Sequence, residues 1–216
     1  SIISILVIAQ GLMGWYMVKS GLVDIPHVSH FRLAAHLSLA LTLLCFVLYS
    51  FYSTFTYKTN KTKITVLSGI YFVCLCIQIL YGAFTAGLKA GYYYNTYPLM
   101  EGELIPEAIW IYASLSKNVF QNPIMIQFIH RHLAMAVLFL FILTALYVYK
   151  LKAPPFIKKL TLLVGVLLSV QIIIGVLTLI LNVPIIFGVL HQFLGTLLLL
   201  SSFSLFYFSF HKKYTS

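Results

Sequence analysis

The chain is 216 residues long, 61% hydrophobic and only 8% charged, where a soluble domain carries about 25% charged residues. Lipid is therefore its main solvent, which excludes an aqueous globular enzyme. The formal charge of +10 does not make it a nucleic-acid binder either, because Lys and Arg sit between long apolar runs, as topology signals do.

Six stretches reach the roughly 20 apolar residues that a spanning helix needs. In chain order they are Ile2–Val18, Phe31–Phe55, Ile64–Leu88, Pro123–Tyr149, Leu160–Leu181 and Ile185–Phe210. The expected fold is all-α, a polytopic membrane helical bundle of six transmembrane helices. The first span opens at Ser1 with no initiator Met, basic leader or cleavage site, so the natural N-terminus is expected upstream. Six spans leave both ends on one side. Lys58, Lys61 and Lys63 fill one connection, Lys150, Lys152, Lys158 and Lys159 another, and Lys212 and Lys213 close the chain. Asp24, Glu101, Glu103 and Glu107 occupy the opposite loops. Cytoplasmic loops collect Lys and Arg, so both ends are expected on the cytoplasmic or matrix side of an inner membrane. The outer connection from Lys89 to Asn122 carries Tyr92, Tyr93, Tyr94 and Tyr97 and is expected to lie along the interface as a short amphipathic segment, a candidate lid. Cys45, Cys74 and Cys76 all fall inside apolar runs, which supports neither a disulfide nor a metal site.

An internal echo runs through Gln10-x-x-x-Gly14, Gln78-x-x-x-Gly82 and Gln171-x-x-x-Gly175. Small residues alone can serve close helix packing; the glutamines point instead to a polar site built from duplicated helical units. The histidines sharpen this. His130 and His191 each lie seven residues past a proline, Pro123 and Pro184, and Pro favours the first helical turn. At about 1.5 Å per residue, both sit roughly 10 Å into their helices from the outer side. His36 enters its helix from the same side, after Arg32. Three imidazoles at one depth, in spans without a carboxylate, suit ligation of haem iron, for which neutral imidazoles from separate helices are the usual donors. His27 and His30, placed in an outer loop, and His132 and His211 read as interfacial or packing residues. Arg32, Lys89 and Arg131 stand where a haem propionate would emerge. Arg131 follows one proposed ligand and Arg32 is one turn from another; Lys89 reads equally as a snorkelling residue.

The segments Gly11-Leu-Met-Gly-Trp-Tyr-Met-Val-Lys19, Phe31-Arg-Leu-Ala-Ala-His36-Leu37 and Gly82-Ala-Phe-Thr-Ala-Gly-Leu-Lys-Ala-Gly91 resemble those of haem A synthases, as do Tyr94-Asn-Thr-Tyr-Pro-Leu-Met100, Gln127-Phe-Ile-His-Arg131 and Leu190-His-Gln192. The resemblance covers essentially the whole chain and is closest to the mitochondrial and related bacterial type. It implies oxidation of the C8 methyl of haem O to a formyl group, giving haem A for cytochrome oxidase. The implied route is two hydroxylations to a gem-diol that loses water, with oxygen as oxidant. It also implies two fused four-helix bundles. In that frame residues 1–57 are the second half of the N-terminal, substrate-haem bundle, and 58–216 are the C-terminal bundle with a haem b cofactor. His130 and His191 become the axial ligands of that haem, and His36 one of two histidines facing the substrate haem. The other, with a nearby glutamate, lies in the family on one of two earlier helices that this chain lacks. The loop cysteine pair of another branch of the family has no counterpart here. Expected partners are the lipid bilayer, haem O, haem O synthase and an electron donor, with no nucleic acid; oligomeric state is open.

Spacing alone also admits a b-type cytochrome subunit that passes electrons through His130 and His191 without modifying any haem. A transporter or structural protein would leave the matched proline-to-histidine spacing as coincidence.

Overall fold

A computed structural model describes residues 2–19, 28–55, 57–59 and 62–213. Its elements are α1 (Ile2–Lys19), α2 (His30–Ser53), β1 (Tyr57–Thr59), α3 (Lys63–Gly87), α4 (Leu115–Gln121), α5 (Pro123–Lys150), α6 (Pro155–Ile180), α7 (Ile185–Phe210) and β2 (His211–Lys213). All the α-helices but α4 are long and apolar enough to cross a membrane. They run from 18 to 28 residues, which at about 1.5 Å per residue matches a hydrocarbon layer of about 30 Å. The chain is thus a multi-pass helical membrane protein. The spans follow the apolar runs closely, with one difference. α6 begins at Pro155 rather than near Leu160, since Pro suits a first helical turn and the lysines at 158 and 159 do not oppose it.

Contacts divide the chain into two compact units. One comprises Ser1–Tyr49, Ile79–Arg131 and Leu179–Val183. Within it α3 ends at Gly87, and two residues on Lys89, with a φ of 51°, takes the left-handed conformation that closes a helix. The irregular backbone that follows carries peptide groups no helix satisfies, and at a membrane these need internal partners. Amide side chains supply them. Asn122 donates to the carbonyls of Ala108 and Ile109 at 2.9 and 3.0 Å. Asn118 donates to Tyr112 and Ser114 at 2.6 and 3.2 Å, and Gln127 to Ala90 and Tyr94, both at 3.0 Å. These three amides are buried. Asn95 donates to Gly91 and to Leu179 at the end of α6, at 2.7 and 2.9 Å. Helices α2 and α3 touch backbone to side chain at Gly87, where a Cβ would stand 2.6 Å from the Cβ of His30 and 2.8 Å from its Cα.

The other unit comprises Ser50–Gln78, His132–Thr178 and Pro184–Ser216. Hydroxyls bind its helices where lipid gives no hydrophobic drive to pack. Ser202 donates to the buried Tyr71 hydroxyl at 3.2 Å, Thr65 to the Ser209 carbonyl at 2.8 Å, and Ser68 and Ser209 share a 2.9 Å bond. Tyr52 pairs with Ser204 at 2.8 Å and packs on Tyr207 and Phe208. Strands β1 and β2 pair antiparallel, with Tyr57 opposite Lys213 and Thr59 opposite His211.

Candidate functional site

Three histidines of the spans share one local environment. On α2, His36 lies against α1 at Gly14, where a Cβ would meet its Cε1 at 3.2 Å. On α5, His130 lies against α3 at Gly82, with the same separation at 3.1 Å. On α7, His191 lies against α6 at Gly175, at 2.8 Å. Each glycine therefore serves the close approach of an imidazole, which a side chain would push away. Two of the glutamines lie against the same rings: the amide nitrogen of Gln10 is 3.3 Å from His36 Nε2, and that of Gln171 is 3.3 Å from His191 Nε2 and 3.0 Å from the His191 carbonyl. The Oε1 atoms of Gln10 and Gln171 and the Nδ1 atoms of His36 and His191 are buried without a hydrogen-bond partner.

His36 and His130 belong to the first unit and His191 to the second. Among the described residues, no three His, Cys, Asp or Glu side chains gather as a set for a bare metal ion. Arg131 donates to the carbonyls of Thr96 and Tyr94, both at 2.8 Å, and to Gln127 Oε1 at 3.3 Å, while its Nε is buried without a partner. The guanidinium thus ties the segment between α3 and α4 to α5, one residue past His130. Arg32 stacks over the Tyr16 ring at 4.3 Å, beside the His36 pair.

The remaining histidines stand apart. His30 opens α2 rather than lying in a loop, and its Nε2 bonds the Phe120 carbonyl at 2.8 Å. His132 is exposed, and His211 stacks on Tyr207 with its Nδ1 donating to the Tyr207 carbonyl at 3.0 Å. His27 lies outside the described residues. Sequence reasoning saw the glutamines as a polar echo without assigning them to particular histidines, although each such span precedes one with a histidine near its outward end. Gln127 stood only as the first residue of the Gln127-Phe-Ile-His-Arg131 segment, and Gly195 gave no signal; a Cβ at Gly195 would sit 3.2 Å from the Gln171 amide nitrogen.

Fold and site define a multi-pass helical membrane protein whose spans carry imidazoles seated on glycine, two of them against glutamine. Residues 1–203 match the model of the COX15-CtaA family, described as cytochrome oxidase assembly protein, and the chain belongs to that family. Among curated relatives, a protein of Wolbachia pipientis wMel named Heme A synthase is 40% identical over 213 residues, 96% of this chain and 58% of the relative. Proteins of the same name from Ehrlichia canis (strain Jake) and Pelagibacter ubique (strain HTCC1062) are 43% and 41% identical, over 88% and 93% of this chain. The chain spans 54% and 59% of their lengths. No solved structure matches it.

Proposed function

We propose that the chain is the larger part of a haem A synthase, which oxidises the C8 methyl of haem O to the formyl group of haem A. The observation that carries this reading is the imidazole seated on glycine, repeated at His36, His130 and His191 in a chain whose curated relatives bear the name Heme A synthase. The residues suit a haem: imidazoles in spans free of carboxylates, from separate helices, are the donors that hold haem iron in membrane cytochromes.

His130 and His191 would hold the iron of a haem b cofactor in the bundle of residues 58–216, and His36 would face the substrate haem in the portion 1–57. Bound haem b supplies one-electron transfer to the substrate site. Arg131 and Arg32 serve the propionate edges. Arg131 does so while holding the Tyr94 and Thr96 carbonyls, its Nε being the donor left over; Arg32 does so from its seat on Tyr16. The protein is an oxidoreductase of an inner membrane, with both described ends on the cytoplasmic or matrix side, taking electrons from a separate donor and haem O from a neighbouring haem O synthase.

The test is a reduced-minus-oxidised spectrum with pyridine haemochrome typing of the purified protein, beside His130→Ala and His191→Ala, after expression with and without a supply of haem O. The expected result is haem b lost in either variant, and haem A formed only when haem O is supplied. Haem b retained with no haem A formed would reduce the chain to an electron-transfer cytochrome; no haem in the wild type would remove the proposal altogether.

A further inference from the structure

We propose that Gln171 is a positioning residue that holds His191 in the tautomer an iron ligand requires, by occupying Nε2 until the metal does. The inference rests on the haem reading above.

Gln171 donates from its amide nitrogen to the His191 backbone carbonyl at 3.0 Å. A carbonyl can only accept, so this bond settles which end of the amide faces α7: it is the nitrogen. The same nitrogen lies 3.3 Å from His191 Nε2, and its second N–H meets a ring atom that must offer a lone pair. In a neutral imidazole the proton then sits on Nδ1. That is the form in which Nε2 can bind a metal without releasing a proton.

Metal-ligating histidines usually have their tautomer fixed from the far side, by a carbonyl, carboxylate or water that accepts from the other ring nitrogen. Here that nitrogen, Nδ1 of His191, is buried without a partner. The tautomer is therefore set from the metal side, and Gln171 is the group that sets it. Gln171 Oε1 is likewise buried and unpartnered, so iron binding would replace one amide hydrogen bond and break no other bond of the ring. Two glycines make the arrangement fit. A Cβ at Gly195 would press the Gln171 nitrogen at 3.2 Å, and one at Gly175 would press His191 Cε1 at 2.8 Å. Helices α1 and α2 repeat the device independently, with Gln10 Nε2 3.3 Å from His36 Nε2, Gly14 beneath the ring at 3.2 Å, and Gln10 Oε1 and His36 Nδ1 both unpartnered.

The experiment reads the tautomer directly. The protein is labelled with ring-¹⁵N histidine, and the haem-free fraction in detergent is compared among wild type, Gln171→Met, Gln171→Glu and Gly195→Ala, with His191→Ala to assign the signal. Wild type is expected to show the Nδ1–H form. Gln171→Met should give a mixture, and Gln171→Glu, whose carboxylate accepts, should turn His191 toward Nε2–H. Gly195→Ala, which crowds the amide, should shift the signal as Gln171→Met does and provides the reading if the Gln171 variants do not fold. Haem b added to folded Gln171→Met should bind no more weakly than to wild type, since the amide bond that iron would displace is no longer there to break. A wild-type ring in the Nε2–H form, or one unchanged in folded Gln171→Met or Gly195→Ala, overturns the proposal. Failure of wild type to bind haem would defeat the haem reading while leaving the tautomer result to be read on its own.

Discussion

Gly175→Ala isolates the seat of His191 from everything else in the helix. The new Cβ would stand 2.8 Å from His191 Cε1 and 3.3 Å from Nδ1, closer than real Cβ contacts come, so the ring, the helix pair or both must yield by several tenths of an ångström. Overpacking of this kind costs about 1–3 kcal/mol, which is about 5- to 150-fold in a binding constant. The gain of about 1 kcal/mol from Ala being the better helix former is common to the haem-free and haem-bound states and cancels in the affinity, so the middle of that range, a loss of about thirtyfold, is expected. The assay is titration of apoprotein with haem b, followed by its Soret band, beside Gly188→Ala and Gly11→Ala, where an added Cβ meets nothing within 4 Å. Gly82→Ala, with the His130 ring at 3.1 Å, should lose less than Gly175→Ala. Wild-type affinity in Gly175→Ala, or an equal loss in Gly188→Ala, would refute the idea that glycine is there for the imidazole.

Gly87→Ala should be the most damaging glycine change for folding. Its Cβ meets His30 Cβ and Cα at 2.6 and 2.8 Å, atoms fixed to the helix, and a drop of several degrees in the thermal midpoint in detergent is the measurement. Asn122→Ala removes the donor to the Ala108 and Ile109 carbonyls. Leaving buried acceptors unpaired costs about 1–3 kcal/mol, and faster hydrogen exchange confined to residues 106–111 should accompany it. Ser202→Ala, which releases the Tyr71 hydroxyl, should cost only about 0.6 kcal/mol, the mean for such bonds inside membranes, and be barely visible in the same unfolding assay.

The spans were legible because length and apolarity are local properties. Five of the six helices begin and end close to the apolar runs, and α6 departs only where lysines mask a helical start at Pro155. How far His130 and His191 lie from the starts of their helices was legible from their prolines, since helical rise converts spacing into distance. What the histidines touch was not. Gly175 and His191 are 16 residues apart on different helices, and the sequence echo of glutamine and glycine names a face of one helix without naming its neighbour. The amides of Asn95, Asn118, Asn122 and Gln127 were opaque for a related reason. Their partners are carbonyls, which every residue carries, so no residue type on the far side announces the bond.

That choice of side chain has a physiological meaning. The segment after α3 is secured by four carboxamides and one guanidinium. Carboxamides do not ionise, and a guanidinium keeps its proton throughout the range a cell can reach. Its docking on α5 and on the end of α6 should therefore stay unaltered as the pH of the adjoining water changes, a steadiness that a seal made of carboxylates or imidazoles could not offer.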